Sequence, residues 1–224
     1  MNPPFTVEAF LGVFAQYNAA IWPVQIGAYL MGLVVLLAVF AAQHSIQRLA
    51  CAALAVLWAF IGIGYHLMFF AAINPIAPVF SGFFVLEALL LLASAFRPGN
   101  LSLKIVLNLR SVAGLAVIVY ALLVYPLLSL QAGHGLMAGP MFGVAPCPTT
   151  IFTIGILLIA RGRWVIWLSI IPILWALVGL AAAVQLGIAE DLGLPVVGVI
   201  LATFLAVQAT LDRAALRLVT RGLP

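Results

Sequence analysis

The chain has 224 residues, of which 67% are hydrophobic and 6% charged, with nine Lys and Arg against five Asp and Glu. Soluble domains carry about 25% charged residues, so this composition excludes a water-soluble globular protein and indicates an integral membrane protein. A net charge of +4 would suggest a nucleic-acid partner in a soluble chain, but here the bases sit singly at the ends of apolar runs, which argues against a nucleic-acid-binding patch.

The apolar runs are about 20 residues long, as a ~30 Å hydrocarbon core requires of a helix, and lack the ~10-residue alternation of a membrane barrel. The fold class is therefore all-α: a polytopic transmembrane helical bundle in one domain spanning residues 1–224. The opening MNPPFTVEAF has no Lys or Arg before its apolar core and no small-residue cleavage site, so the first membrane helix is expected to act as its own insertion signal.

In chain order, residues 5–17 predict a helix lying in the outer interface. Thr6 serves as its N-cap, and Phe10, Phe14 and Tyr17 fall on one face beside an aromatic belt that includes Trp22. Seven segments follow, over roughly 22–41, 50–73, 76–96, 104–130, 148–160, 164–187 and 193–212.

Every second connection is basic, carrying in turn Arg48, then Arg97 and Lys104, then Arg161 and Arg163, and finally Arg213, Arg217 and Arg221. The others hold no Lys or Arg, and one carries Glu190 and Asp191. By the positive-inside rule the N-terminus is outside and the C-terminus cytoplasmic. Pro126 and Pro172 predict kinks in the fourth and sixth segments.

The second segment contributes Tyr65 and His66, near Met68 and the outer end. His134 in an outer loop and His44 in a cytoplasmic one read as solvated. Asn18, Gln25 and Asn74 sit at outer helix ends, where capping is the default role. Glu87 in the third segment lies ten residues before Arg97, hence ~15 Å from the cytoplasmic face and close to mid-bilayer. An ionisable group at that depth must face the bundle interior, as a proton carrier or ligand group or else as a protonated structural glutamate. Arg110 can snorkel to the surface or pair with Glu87.

The fifth segment is short and broken. From Arg161 back to Thr149 there is ~18 Å of helix, well short of a span. Pro146 and Pro148 explain the break, since neither donates a backbone hydrogen bond and each pushes its predecessor out of helical conformation. Pro148 reads as the first helical residue and Cys147 as its N-cap, at the positive end of a half-helix ~20 Å above the cytoplasmic surface. The preceding glycine-rich loop at that depth must be covered by protein or line a cavity.

Cys147 therefore reads either as a packing residue or as a reactive or liganding sulfur. Thr149 and Thr150 add hydroxyls. Cys147 and His66 are also a candidate soft-metal site, for Cu(I) with Met68 or for zinc with a carboxylate. Cys51 begins the second segment at its cytoplasmic end, too far from Cys147 for a disulfide.

The seventh segment has no lysine for a retinal Schiff base, and no HExxH, GxSxG, GxxxxGK[ST] or CxxC pattern occurs. Cysteine-ligated haem at Cys147 is conceivable, and the sequence implies no particular cofactor.

The stretches YNAAIWP (17–23), YHLMFFAAINPIAP (65–78) and FGVAPCPTTIFTIG (142–155) resemble a family of small bacterial multi-pass membrane proteins, domain-of-unknown-function family 6064. The resemblance implies bacterial inner-membrane placement and carries no activity.

The leading expectation is a small transporter or permease with an outward-facing cavity that binds a soft metal ion or small solute. Cys147, Glu87, His66, Thr149, Thr150, Tyr65 and Asn18 are the candidate binding residues. The alternatives are a membrane enzyme or redox or haem protein using Cys147, and a non-catalytic binding or assembly subunit. The expected partners are the lipid bilayer and a small solute or metal ion, not nucleic acid.

Overall fold

The computed structural model describes residues 5–41, 43–97, 101–133 and 135–220. His134, Arg221 and the side chain of Arg217, on which expectations were placed above, lie outside the described set. Within it the chain is mostly helical, with no strand among the described residues.

Helix α1 (Val7–Ala20) starts where Thr6 caps it, its hydroxyl accepting from the Ala9 amide at 3.2 Å. The Glu8 carboxyl in the first turn is held below its ordinary pKa by its own backbone amide and by the Thr6 hydroxyl. At Ala20 the chain turns through 88° into α2 (Val24–Phe40). Phe10, Phe14 and Tyr17 of α1 are buried, so this helix packs its aromatic face on the bundle.

Helix α3 (His44–Phe60) continues as a π-helical segment, Ile61–Phe69, and a short 3-10 turn, Phe70–Ala72. Helix α4 (Ala77–Ala95) returns from there. Helix α5 (Leu109–Val119) passes through a second π-helical turn, Tyr120–Val124, into α6 (Tyr125–Gln131). A single turn, α7 (Gly135–Ala138), follows, then the half-helix α8 (Pro146–Ile159). Helix α9 (Trp164–Leu186), a 3-10 turn (Ala189–Leu192) and α10 (Gly193–Thr220) complete the chain.

Five helical stretches are long and apolar enough to cross a membrane, or six if the bent α1 and α2 pair counts as one span. This is a membrane protein by that measure. Helices α2 and α8, with 17 and 14 residues, reach only about 25 and 21 Å.

The fourth segment departs from its expected start. Residues 104–108 are not helical. Asn108 caps α5 by accepting from the Ser111 amide at 2.9 Å, and the strip before it is tied down by a bridge between Ser102 and Arg161 and by the Ile105 amide donating to Val39. A side-chain cap wins over continued apolar periodicity there.

Helix α8 is the axis of the bundle, and all of its residues are buried. Its approach to α5 depends on two glycines. A Cβ on Gly114 would stand 2.7 Å from the Gly155 carbonyl oxygen, and one on Gly155 would stand 2.7 Å from Ile118. Small residues let membrane helices come this close, where dispersion contacts replace the hydrophobic drive that lipid cannot supply.

Several connections meet at the basic end. Arg48 donates to the Ala95 carbonyl at 2.9 Å, Arg97 lies over the Trp164 ring at 5.5 Å, and Arg161 bonds Ser102. Helices α1 and α7 and the loop into α8 occupy the opposite, far end, joined by Asn18, whose amide donates to the carbonyls of Met137 and Gly139. Gln25 in turn donates to the Asn18 carbonyl at 2.8 Å.

Candidate functional site

A cavity of about 190 Å³ opens at the far end, bounded by the start of α4, the last turns of α9, and α1. Its polar lining comes from His66 and Tyr65 on the π-helical segment, Asn74 before α4, Cys147 near the start of α8, Trp175 and Gln185 on α9, and Asp191 on the turn before α10. Exposed Ile76 and half-buried Ala182 lie at the rim.

The π-helical segment explains how two adjacent residues both reach this wall. In an i→i+5 helix the turn is wider than in an α-helix, so inward positions come in neighbouring pairs. The buried residues here are Ile61 and Gly62, then Tyr65 and His66, then Phe70. The second π-helical turn lies just before Pro126, which has no amide to give the preceding turn. Its wider winding precedes Tyr125, whose hydroxyl donates to the Asp191 carboxylate at 2.5 Å.

Helix α8 begins at Pro146, with Ala145 extended before it (φ −112°, ψ 147°). This corrects the expectation that Cys147 is the N-cap and Pro148 the first helical residue. Pro146 restricts its predecessor more effectively than Pro148 does, because Cys147 is already inside the helix. Cys147 thus sits in the first turn, with Asp191 and Trp175 beside its sulfur. The loop before it is buried by protein, and the Gly143 amide donates to the Thr149 hydroxyl at 2.8 Å while that hydroxyl donates to the Ala145 carbonyl at 2.7 Å.

A model of a family of unknown function, DUF6064, matches residues 7–217. The chain belongs to the DUF6064 family. No curated protein and no solved structure matches it.

In this DUF6064 chain the expected site residues divide. Cys147, His66 and Tyr65 line the cavity; Glu87, Thr149, Thr150 and Asn18 do not. Glu87 is fully buried on α4 one turn further toward the basic end than Phe84, whose ring packs on His66 at 4.7 Å and on Trp58 at 4.5 Å. Neither Glu87 oxygen has a protein partner among the described residues, so the pairing with Arg110 considered above is not made. Arg110 instead donates to the Leu157 carbonyl at 3.0 Å. Thr149 secures the loop, and Asn18 ties α1 to α7.

No group of three His, Cys, Asp or Glu side chains able to hold a metal ion occurs among the described residues. Met68 is 70% exposed and points away from Cys147 and His66. A Cys–His–Met set is therefore not assembled, because the π-helical winding that turns His66 inward turns Met68 outward.

Four buried polar atoms on the cavity wall find no protein partner among the described residues: the Tyr65 hydroxyl, both His66 nitrogens and the Trp175 indole nitrogen. Buried polar groups are normally paired, so these are the groups a bound molecule or water would satisfy.

Asp191, Trp175 and Tyr125 did not emerge as site residues from the sequence. In the sequence the stretch IAEDLG stands out only as a connection without Lys or Arg, yet Glu190 and Asp191 are both buried. The Tyr120 hydroxyl bonds the Glu190 carbonyl at 3.0 Å and helps hold the turn beneath α5 and α6.

Proposed function

We propose that the protein is a small permease that receives a mostly apolar solute into the far-end cavity and passes it toward the basic end. The supporting observation is the cavity itself: aromatic walls closing on Cys147, His66 and Asp191, with buried polar atoms of Tyr65, His66 and Trp175 in its lining that have no partner among the described residues. Sites for small molecules are typically concave and apolar, with a few placed polar groups.

Phe84 and Trp58 close the way inward, and Glu87 lies beyond them. This is the arrangement of an outward-facing state with a carboxylate behind the gate. On this reading the chain lies in the inner membrane of a bacterium, with its basic end cytoplasmic. The gathering of Arg48, Arg97, Lys104 and Arg161 at one end supports that orientation.

Purified protein in liposomes, tested with small amphipathic solutes for saturable uptake, decides the matter. Uptake lost in an Ala182→Phe variant, which narrows the cavity rim, is the expected result. A folded chain that binds solutes but moves none contradicts the permease reading.

The second reading is a membrane enzyme with Cys147 as nucleophile, favoured by the place of its thiol on the cavity wall in the first turn of α8, at the positive end of that helix. Cys147→Ser separates the two, because a permease keeps its uptake and a thiol enzyme loses turnover.

A further inference from the structure

A groove of about 480 Å³ lies at the basic end, where α4 finishes and α9 begins. Arg97, just past the last turn of α4, and Arg163, just before the first turn of α9, line it together with Leu90, Trp164 and Trp167. Both arginines are exposed. The Arg97 guanidinium lies over the Trp164 ring at 5.5 Å, a contact that holds this cation at the junction of the two helices.

No carboxylate among the described residues lines this groove. The chain has five Asp and Glu in all, and they stand elsewhere. Glu8 in α1 and Glu190 and Asp191 before α10 belong to the far end, Glu87 is inside the bundle, and Asp212 accepts from the Gln208 side-chain amide at 2.9 Å on α10. The start of α9 adds to the same sign of charge. No side chain caps it and its first turn holds no acidic residue, so the positive end of a 23-residue helix stands at Arg163. Two guanidiniums and a helix N-terminus together select an anion, and a guanidinium fork matches phosphate oxygens through paired N–H donors.

Depth decides which anion. Helices α4 and α9 are both long and apolar enough to cross a membrane, and they present exposed apolar side chains such as Leu86, Leu89, Ile166 and Ile170. Leu90 stands seven residues before Arg97, hence roughly 10 Å further from the basic end, and Trp167 stands four residues after Arg163, hence roughly 6 Å further. The groove therefore runs from cations at the membrane boundary to an aliphatic and an indole side chain at the depth of the first acyl carbons. Indoles are favoured at that boundary. A free phosphate uses only the charged part, whereas a phospholipid uses both, as acidic headgroups do in basic pockets between membrane helices.

We propose that this groove binds one anionic phospholipid, with its phosphodiester between Arg97, Arg163 and the start of α9 and its first acyl carbons against Leu90 and Trp167. The site is separate from the far-end cavity and does not depend on what that cavity takes.

Native mass spectrometry of the purified full chain, given phosphatidylglycerol or phosphatidylcholine with the same acyl chains, tests it by counting bound lipids. One phosphatidylglycerol is expected to be held at least about fivefold more tightly than phosphatidylcholine. Arg97→Gln and Arg163→Gln are each expected to weaken it by about fivefold and to leave phosphatidylcholine little changed. Arg213→Gln, at an exposed arginine on α10 outside the groove, is expected to leave the preference intact. Inorganic phosphate in large excess over the lipid is expected not to displace it.

Equal retention of the two lipids overturns the proposal. A preference that survives both groove variants, or that falls as far in Arg213→Gln, belongs to the whole basic surface and overturns the site. Displacement by inorganic phosphate makes the occupant a free anion and overturns the lipid. If the double variant fails to fold, either single variant compared with Arg213→Gln carries the test.

Discussion

The Tyr125 hydroxyl donates to the Asp191 carboxylate at 2.5 Å, joining two residues that lie 66 positions apart in the chain. This bond fixes the turn between α9 and α10 against α6 and so sets where the carboxylate stands in the cavity wall. Hydrogen bonds to charged groups contribute about 1.5–3 kcal/mol. Tyr125→Phe is expected to lower stability by about 1–3 kcal/mol, read from unfolding in detergent, and to weaken solute binding as well. An unchanged midpoint would show that Asp191 is held by other contacts.

Glu87 is a second buried carboxylate, without a protein partner among the described residues. Such a group costs stability that an apolar residue would not. Glu87→Leu is expected to raise stability by about 1–3 kcal/mol while abolishing solute movement. Loss of stability instead would mean that Glu87 is bonded in the folded protein and serves structure.

The contact between α5 and α8 leaves no room at Gly155. Gly155→Val must push the half-helix away from α5, and overpacking of this kind costs about 1–3 kcal/mol or more. Reduced yield and a lower unfolding temperature are expected, whereas Gly27→Ala, where an added Cβ meets nothing within 4 Å, serves as the neutral control.

Trp58 donates its indole N–H to the Thr153 hydroxyl at 3.0 Å inside the bundle. Thr153→Val keeps the shape and removes the acceptor, leaving a buried donor unsatisfied at a cost of about 1–3 kcal/mol. Denaturation midpoints of Thr153→Val and Thr153→Ser check this, the serine variant being expected to retain most of the stability.

The architecture was largely written in residue types whose effects are local. Pro146 and Pro148 locate the broken segment, because a missing amide and a restricted predecessor act within one turn. The basic connections mark one end because Lys and Arg cannot lie in hydrocarbon. The site was less legible because it depends on helical phase. The π-helical turns before Phe70 and Tyr125 change which residues face inward, and no periodicity in the sequence announces them. Asp191 was hidden for another reason. A carboxylate in a short connection carries no sign of burial until the far helices that cover it are in place.

The far-end cavity reaches Cys147. N-ethylmaleimide labelling of a Cys51→Ala chain in intact membranes, followed by mass spectrometry, measures this directly. Cys147 is expected to be modified, and Ala182→Phe at the rim is expected to suppress the modification. Equal labelling in both chains, or none in either while a cysteine placed at exposed Leu107 reacts fully, would contradict it.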